Sequence, residues 1–218
     1  MSERRDIAVI GLGTFGSAVA REMARMGDRV TGIDRDAAAV AAMDGEIDAV
    51  MQADATDPKV LNHAGIGQFD SVIVAIGDDM QSSLLTTLGV MQAGCQNVHA
   101  KAQTPEHARI LSAMGVRNLL EPEAGFALHL AQLLHNPHMV DFLNLGNGNY
   151  IASMNAPSGS ACTTVGDLPL AKYDLSCVGI DIGERIVTDD LARHELSLSD
   201  KLILAGKRSD LRRFSNGG

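Results

Sequence analysis

The sequence predicts an α/β fold: a Rossmann-like, doubly wound parallel six-stranded sheet followed by a small α+β C-terminal module. Three observations predict it. An apolar run, Ile7-Ala8-Val9-Ile10, leads into Gly11, Gly13 and Gly16 in G-x-G-x-x-G spacing, and good helix formers follow from Ser17 to Ala24. A second run, Arg29 to Ile33, ends in Asp34, 18 residues beyond Gly16 and within the roughly 20-residue spacing of a ribose-binding acid. From there strand-like and helix-like segments alternate as far as His135, as a parallel sheet with right-handed helical crossovers requires.

In the opening strand, turn and helix each glycine has a mechanical task. Gly11 permits the tight turn, Gly13 lets a pyrophosphate approach the backbone, and Gly16 lets the helix pack closely on the strand. The helix start then offers unsatisfied N–H groups and the positive end of its dipole to phosphates. Asp34 is the expected acceptor for ribose hydroxyls, with strand-end capping as the competing role. Arg35 beside it would suit a 2′-phosphate, which Asp34 would repel.

Further along, Ala37 to Met43 reads as a short helix and Asp48 to Ala53 as a third strand, ending at Asp54-Ala55-Thr56. An acid and a hydroxyl at a strand's carboxyl end fall where doubly wound sheets bind ligands, here the adenosine end of a nucleotide. The same stretch also suits a helix start, with Thr56 or Asp57 before Pro58, and the two readings are compatible. Ser71 to Ile76 is the most hydrophobic strand and is expected to be central, with Gly77 ending it and a helix over Met80 to Ala93. Asn97 to Ala102 forms a fifth strand whose Lys101, at the ligand-side end, meets either a phosphate or solvent. A helix from Pro105 to Met114, a strand from Arg117 to Leu120 and a helix from Ala124 to His135 complete a nucleotide-binding domain of residues 1–135.

Asn136-Pro137 breaks the pattern, because proline removes a helical donor and restricts the residue before it. Residues 136–148 are expected to form a short crossover helix over His138 to Leu143, docked on another chain or on the second domain, and a glycine-rich linker. The module of residues 149–218 contains strands over Tyr150 to Asn155, Leu175 to Ile182 and Lys201 to Gly206. A short helix lies within Thr164 to Tyr173, and Arg185 to Val187 completes a hairpin.

Composition narrows the function. With 27 acidic and 18 basic side chains the formal charge is −9, which argues against a nucleic-acid surface; the basic group at Lys207, Arg208, Arg212 and Arg213 is short and interrupted by Asp210. Cys95, Cys162 and Cys177 are spaced unlike a metal knuckle or redox pair, so reduced thiols in a cytoplasmic protein are expected. Residues Met1 to Asp6 lead directly into the first strand with no apolar signal region, and no stretch reaches the roughly 18 apolar residues that span a bilayer.

The chemistry of an enzyme is missing. Tyr150 and Tyr173 have Met154 and Cys177 four residues on, not the lysine of a short-chain dehydrogenase. His129, His135 and His138 are split by Pro137, and no G-x-S-x-G elbow occurs. A nucleotide-binding fold without catalytic partners points to a sensor; the alternative is a small NAD(P)-dependent oxidoreductase using Lys101 or His63 as proton donor. A DNA-binding redox sensor would need a winged-helix segment, which is lacking.

Several segments together resemble a known family. Ala8 to Gly16, Ile33-Asp34, Ala53 to Thr56, Ser71 to Gly77, Ala100 to Gln103, Pro122-Glu123 and the tail Asp200 to Gly206 occur in the order found in the RCK-domain (KTN) regulators of Ktr- and Trk-type potassium uptake. The resemblance implies a cytoplasmic regulatory subunit without turnover, held at the inner face of the cell membrane by a potassium-translocating partner. It also implies dimers assembled into an octameric ring, and adenine nucleotides as ligands: ATP and ADP, or NAD and NADH in the Trk branch. By carry-over Gly11, Gly13 and Gly16 face the phosphates, Asp34 the ribose, and Asp54, Ala55 and Thr56 the adenosine end, with Thr14, Phe15 and Arg35 also part of the nucleotide site. Ile76, Gly77 and Lys101 line the cleft, and Glu123 helps hold a divalent or sodium cation beside the nucleotide. Related C-terminal modules bind cyclic di-AMP, for which Ile180, Ile182 and Arg185 form the corresponding stretch here. Many Ktr members carry arginine where this chain has Thr14, so the resemblance does not extend to discrimination of ATP from ADP.

Overall fold

The computed structural model describes residues 4–156 and 164–217. Cys162, one of the expected free thiols, lies outside the described residues, as do the first three positions. The chain divides into two compact units, residues 1–125 and 126–218.

The first unit alternates as expected: β1 (Asp6–Ile10), α1 (Thr14–Arg25), β2 (Arg29–Asp34), α2 (Ala37–Ala41), β3 (Ala49–Gln52), α3 (Pro58–His63), β4 (Ser71–Val74), α4 (Met80–Gln92), β5 (Val98–Lys101), α5 (Pro105–Ala113) and β6 (Asn118–Leu120). A last helix, α6 (Pro122–His135), begins in this unit and continues into the second. The six strands are all parallel, in the order β3-β2-β1-β4-β5-β6. The order reverses between β1 and β4, and such a switch point is where an open α/β sheet leaves a crevice.

Both faces of this sheet are covered, which is why its central strands read as continuous apolar runs. On one face Ile7, Val9 and Ile73 pack with Ala20 and Met43 from the α1 and α2 side. On the other, Ala8, Ile10, Val72 and Val74 pack with Leu61, Val90 and Leu111 from α3, α4 and α5. Helix starts are fixed locally: Asp36, Asp57, Asp79 and Thr104 each accept a backbone N–H of their own helix, and Pro58 and Pro105 supply first helical residues. Such caps contribute typically ~1 kcal/mol each.

The second unit holds an antiparallel sheet of β7 (Met139–Gly146), β8 (Asn149–Asn155), β9 (Ser176–Asp181), β10 (Ile186–Val187) and β11 (Lys201–Lys207), in the order β10-β9-β11-β8-β7, followed by α7 (Arg208–Gly217). Tyr150, Ala152 and Met154 alternate inward along β8 and meet Ile180, Leu202, Leu204, Leu211 and Phe214. The hairpin expected at Arg185 to Val187 forms as β9–β10. The helix expected within Thr164 to Tyr173 is two 3-10 helices, Val165–Asp167 and Leu170–Tyr173, separated at Leu168-Pro169.

One expectation is overturned. Residues 138–143 are not a crossover helix but the body of β7, and Gly146 to Asn149 is not a linker but the turn of the β7–β8 hairpin. That turn needs three consecutive positive φ angles, 85° at Gly146, 54° at Asn147 and 77° at Gly148. Pairing with β8 takes up the backbone groups on one side of Met139 to Gly146, with register shifts at Met139/Asp141 and Asn144/Gly146. Met139 and Phe142 then pack on the second unit's core.

Gly16 is the tightest contact of the first unit: a Cβ there would lie 1.9 Å from the carbonyl oxygen of Gly11. Gly16→Ala should therefore push α1 off β1 and lower stability by roughly 1–3 kcal/mol, read as a lowered urea midpoint.

Candidate functional site

The carboxyl ends of β1, β2, β3 and β4 surround a cavity of about 320 Å³ at the switch point. The turn after β1 is its floor. Gly11 takes a φ of +94°, and a Cβ there would fall 3.0 Å from the backbone of Ala75 and Ile76, so both conformation and space demand glycine. Gly13 is open: a Cβ on it would meet nothing within 4 Å. It is also the N-cap of α1 and makes no side-chain cap bond, so the helix start presents backbone N–H groups beside the cavity.

Asp34 at the end of β2 shapes this turn. Its Oδ2 accepts the Leu12 N–H at 2.6 Å and its Oδ1 accepts the Asp36 N–H at 2.8 Å, while the residue lines the cavity. It thus makes bonds of the strand-end cap weighed for it from the sequence, and it also lines the cavity. Arg35, Asp36 and Ala39 continue the wall.

The third wall, Ala53 to Thr56, settles another open choice. Asp57, not Thr56, caps α3, accepting the Lys59 N–H at 2.9 Å. Asp54 is thereby left to Thr56, whose N–H and hydroxyl donate to its Oδ1 at 3.0 and 2.8 Å. These bonds hold the Asp54 carboxyl below the ordinary aspartate range, with Arg35 adding a smaller attraction.

The fourth wall was largely missed from the sequence. Ile76 and Gly77 line the cavity as expected, but so do Asp78, Asp79, Ser82 and Thr86. Asp79 caps α4, accepting the Ser82 N–H at 3.1 Å and its hydroxyl at 2.6 Å, which lowers its pKa. Their signal was available: β4 ends at Val74, so the residues after it form a loop at the carboxyl end of the strand beside β1. The lining as a whole is acidic, with Asp34, Asp36, Asp54, Asp78 and Asp79 facing Arg35. Carboxylates can accept bonds from hydroxyls and amines, and the open backbone N–H groups of a helix start can receive an anion.

Thr14, Phe15, Gly16, Lys101 and Glu123 stand beside the cavity rather than in its lining. Lys101 Nζ pairs with Glu123 Oε1 at 2.7 Å and lies 5.7 Å from the centre of the Phe15 ring. The hydrogen bond from Lys101 keeps the Glu123 carboxyl below its usual range. Among the described residues no group of three or more His, Cys, Asp or Glu could hold a metal ion. In the second unit, of the three residues expected from the resemblance to meet cyclic di-AMP, Ile180 is fully buried and Ile182 and Arg185 are exposed.

The TrkA-N domain model matches residues 7–122, the span that builds this cavity. The chain belongs to the TrkA-N family. It is 32% identical to "Ktr system potassium uptake protein C" of Bacillus subtilis, over 97% of this chain and 96% of that protein. With "Ktr system potassium uptake protein A" of the same organism it shares 31% identity over 99% of this chain and 98% of the relative. The TrkA-N unit and the sheet that follows it together share the fold of a solved "GsuK channel bound to NAD", with a TM-score of 0.66 and 17% identity over all of this chain and 40% of that one. The RCK-type resemblance read from the sequence is therefore correct in family and in fold.

A carboxyl with a depressed pKa favours the folded state above its unfolded pKa, and that contribution is lost as pH falls through the folded value. In Thr56→Ala the Asp54 carboxyl should titrate closer to the ordinary 3.8. Carboxylate NMR titration reads the shift directly, and the acid limb of the stability profile should lose the corresponding drop.

Proposed function

We propose that this chain is a nucleotide-sensing regulatory subunit of a potassium-uptake system. The observation that carries the reading is the combination of near full-length similarity to Ktr potassium uptake proteins with a nucleotide-sized cavity at the sheet's switch point. In this reading an adenine nucleotide or dinucleotide lies with its phosphates at Gly11, Gly13 and the start of α1. Its ribose lies at Asp34 and Arg35, and its base lies at Asp54, Ala55 and Thr56.

The subunit turns over no substrate. Supporting this, the two near full-length relatives are named as potassium uptake proteins. Its action is instead a change of shape passed to a membrane potassium-translocating partner. A ligand that binds one arrangement of an assembly better shifts the equilibrium by its differential affinity, typically about 1–3 kcal/mol per site.

Assembly runs through the second unit's apolar surface, as dimers that build an octameric ring. Phe126 and Leu134 of α6 are 66% and 75% exposed, and Leu143 and Leu145 of β7 are also exposed. His129 stacks on Phe142 at 4.6 Å and pairs with Asp141 at 3.3 Å, fixing α6 against β7 as one face. These exposed apolar side chains suit a second copy better than water does.

Two measurements test the proposal. Titration calorimetry with ADP and NADH should show binding lost in Asp34→Ala; undiminished affinity would remove the site assignment. Sedimentation velocity should show Leu134→Asp shifting the protein to smaller species, and an unchanged distribution would move the interface elsewhere.

A further inference from the structure

We infer that the outward face of α7 is a cationic surface that lays the second unit against anionic lipid headgroups. The inference is independent of the nucleotide site and gives the chain a membrane contact of its own.

The helix has two unlike sides. At 3.6 residues per turn Arg208, Ser209, Arg212 and Arg213 fall within an arc of roughly 140°, and all four are exposed. Leu211 and Phe214 point the other way, into the core of the second unit. Asp210 interrupts the basic run in the sequence but not on the surface. Its side chain is 10% exposed and accepts from the Arg213 guanidinium at 2.7 Å and from the Ser209 hydroxyl at 3.1 Å.

Two further cations extend the face. Lys172, in the 3-10 helix Leu170–Tyr173, holds its ammonium 5.4 Å from the centre of the Tyr173 ring, and the Arg213 guanidinium lies 5.9 Å from the same centre. Lys207 is exposed at the end of β11, directly before α7. Asp174, two residues after Lys172, is an exposed acid at the margin. Among the described residues Lys172, Lys207, Arg208 and Arg212 form no ion pair. In a chain of formal charge −9 they fix an orientation, because an anionic plane attracts this face and repels the acidic remainder.

The lack of an apolar anchor decides the occupant. Specific protein interfaces are centred on aromatic or aliphatic side chains that bury in the partner. Here Tyr173, Leu211 and Phe214 are already buried, and no large hydrophobic side chain is exposed among the described residues of 164–176 or 207–217. Long, unpaired cations without an anchor suit charge spread over a plane, as in a headgroup layer. No helix among the described residues is long and apolar enough to cross a membrane, and α7 keeps its apolar side in the core. The contact is therefore peripheral and electrostatic.

Vesicle sedimentation with the full chain tests this, using phosphatidylcholine alone and phosphatidylcholine mixed with phosphatidylglycerol. The protein should pellet with the mixed vesicles only, and high salt should release it. Arg208→Gln combined with Arg212→Gln should weaken binding about 25-fold, roughly fivefold for each charge. Lys59→Gln combined with Arg117→Gln removes two exposed cations of the first unit. It changes the net charge equally and should leave binding within about twofold. Thermal unfolding of both double variants confirms the fold.

Failure to pellet with mixed vesicles at low salt would overturn the inference, as would equal losses in the two double variants. Release on exchanging chloride for inorganic phosphate at equal ionic strength would make the face a discrete phosphate site instead. A changed sedimentation velocity of the lipid-free Arg208→Gln, Arg212→Gln protein would make it an interface between copies. Tighter binding to duplex DNA than to the mixed vesicles would assign it to nucleic acid.

Discussion

The hydrogen bond from the Leu12 N–H to the Asp34 carboxylate is the constraint on which the site depends. It joins the turn after β1 to the end of β2, and the other oxygen of the same carboxylate receives Asp36, the residue that caps α2. One ionised group therefore sets the path of the glycine turn, the start of α1 beyond it and the start of α2. Bonds to a charged acceptor are roughly twice as strong as neutral ones, and two donors on one carboxylate restrict its orientation. The cavity's shape is a consequence of that restriction.

The other acids around the cavity are fixed in the same manner. Asp36 and Asp79 cap helices, and Asp54 is held by Thr56. Each is held in position by bonds within the protein, so little ordering is left for a ligand to bring about. Binding to such a prearranged surface loses less side-chain entropy than binding to mobile groups. In the proposed binding mode the labour is divided by chemistry: backbone N–H groups receive phosphate, and carboxylates receive hydroxyl and amine donors.

The features legible in the sequence were those written locally. The glycine spacing, Asp34 at its distance, the alternation of strands and helices and the inward period of Tyr150, Ala152 and Met154 each depend on residues within one or two elements. What was missed depends on partners remote in sequence. Met139 to Leu143 has apolar residues that suit a helix turn or a strand equally, and it is β8, eight or more residues on, that draws it into a hairpin. Asp78, Asp79, Ser82 and Thr86 belong to the cavity because β4 lies next to β1, a fact of strand order. The pairing of Lys101 with Glu123 likewise arises because the residue ending β5 stands beside the first turn of α6.

The irregular register of β7 carries a consequence for association. β7 is the outer strand of its sheet, and a straight outer strand offers a row of free N–H and C=O groups on which another chain can add as a further strand. Two register shifts within its eight residues twist that row and break its spacing. Templated strand addition, the route to open-ended fibres, is thereby obstructed, while side chains such as Leu143 and Leu145 remain available for contact. At this edge, contact through apolar side chains is thereby separated from contact through the backbone.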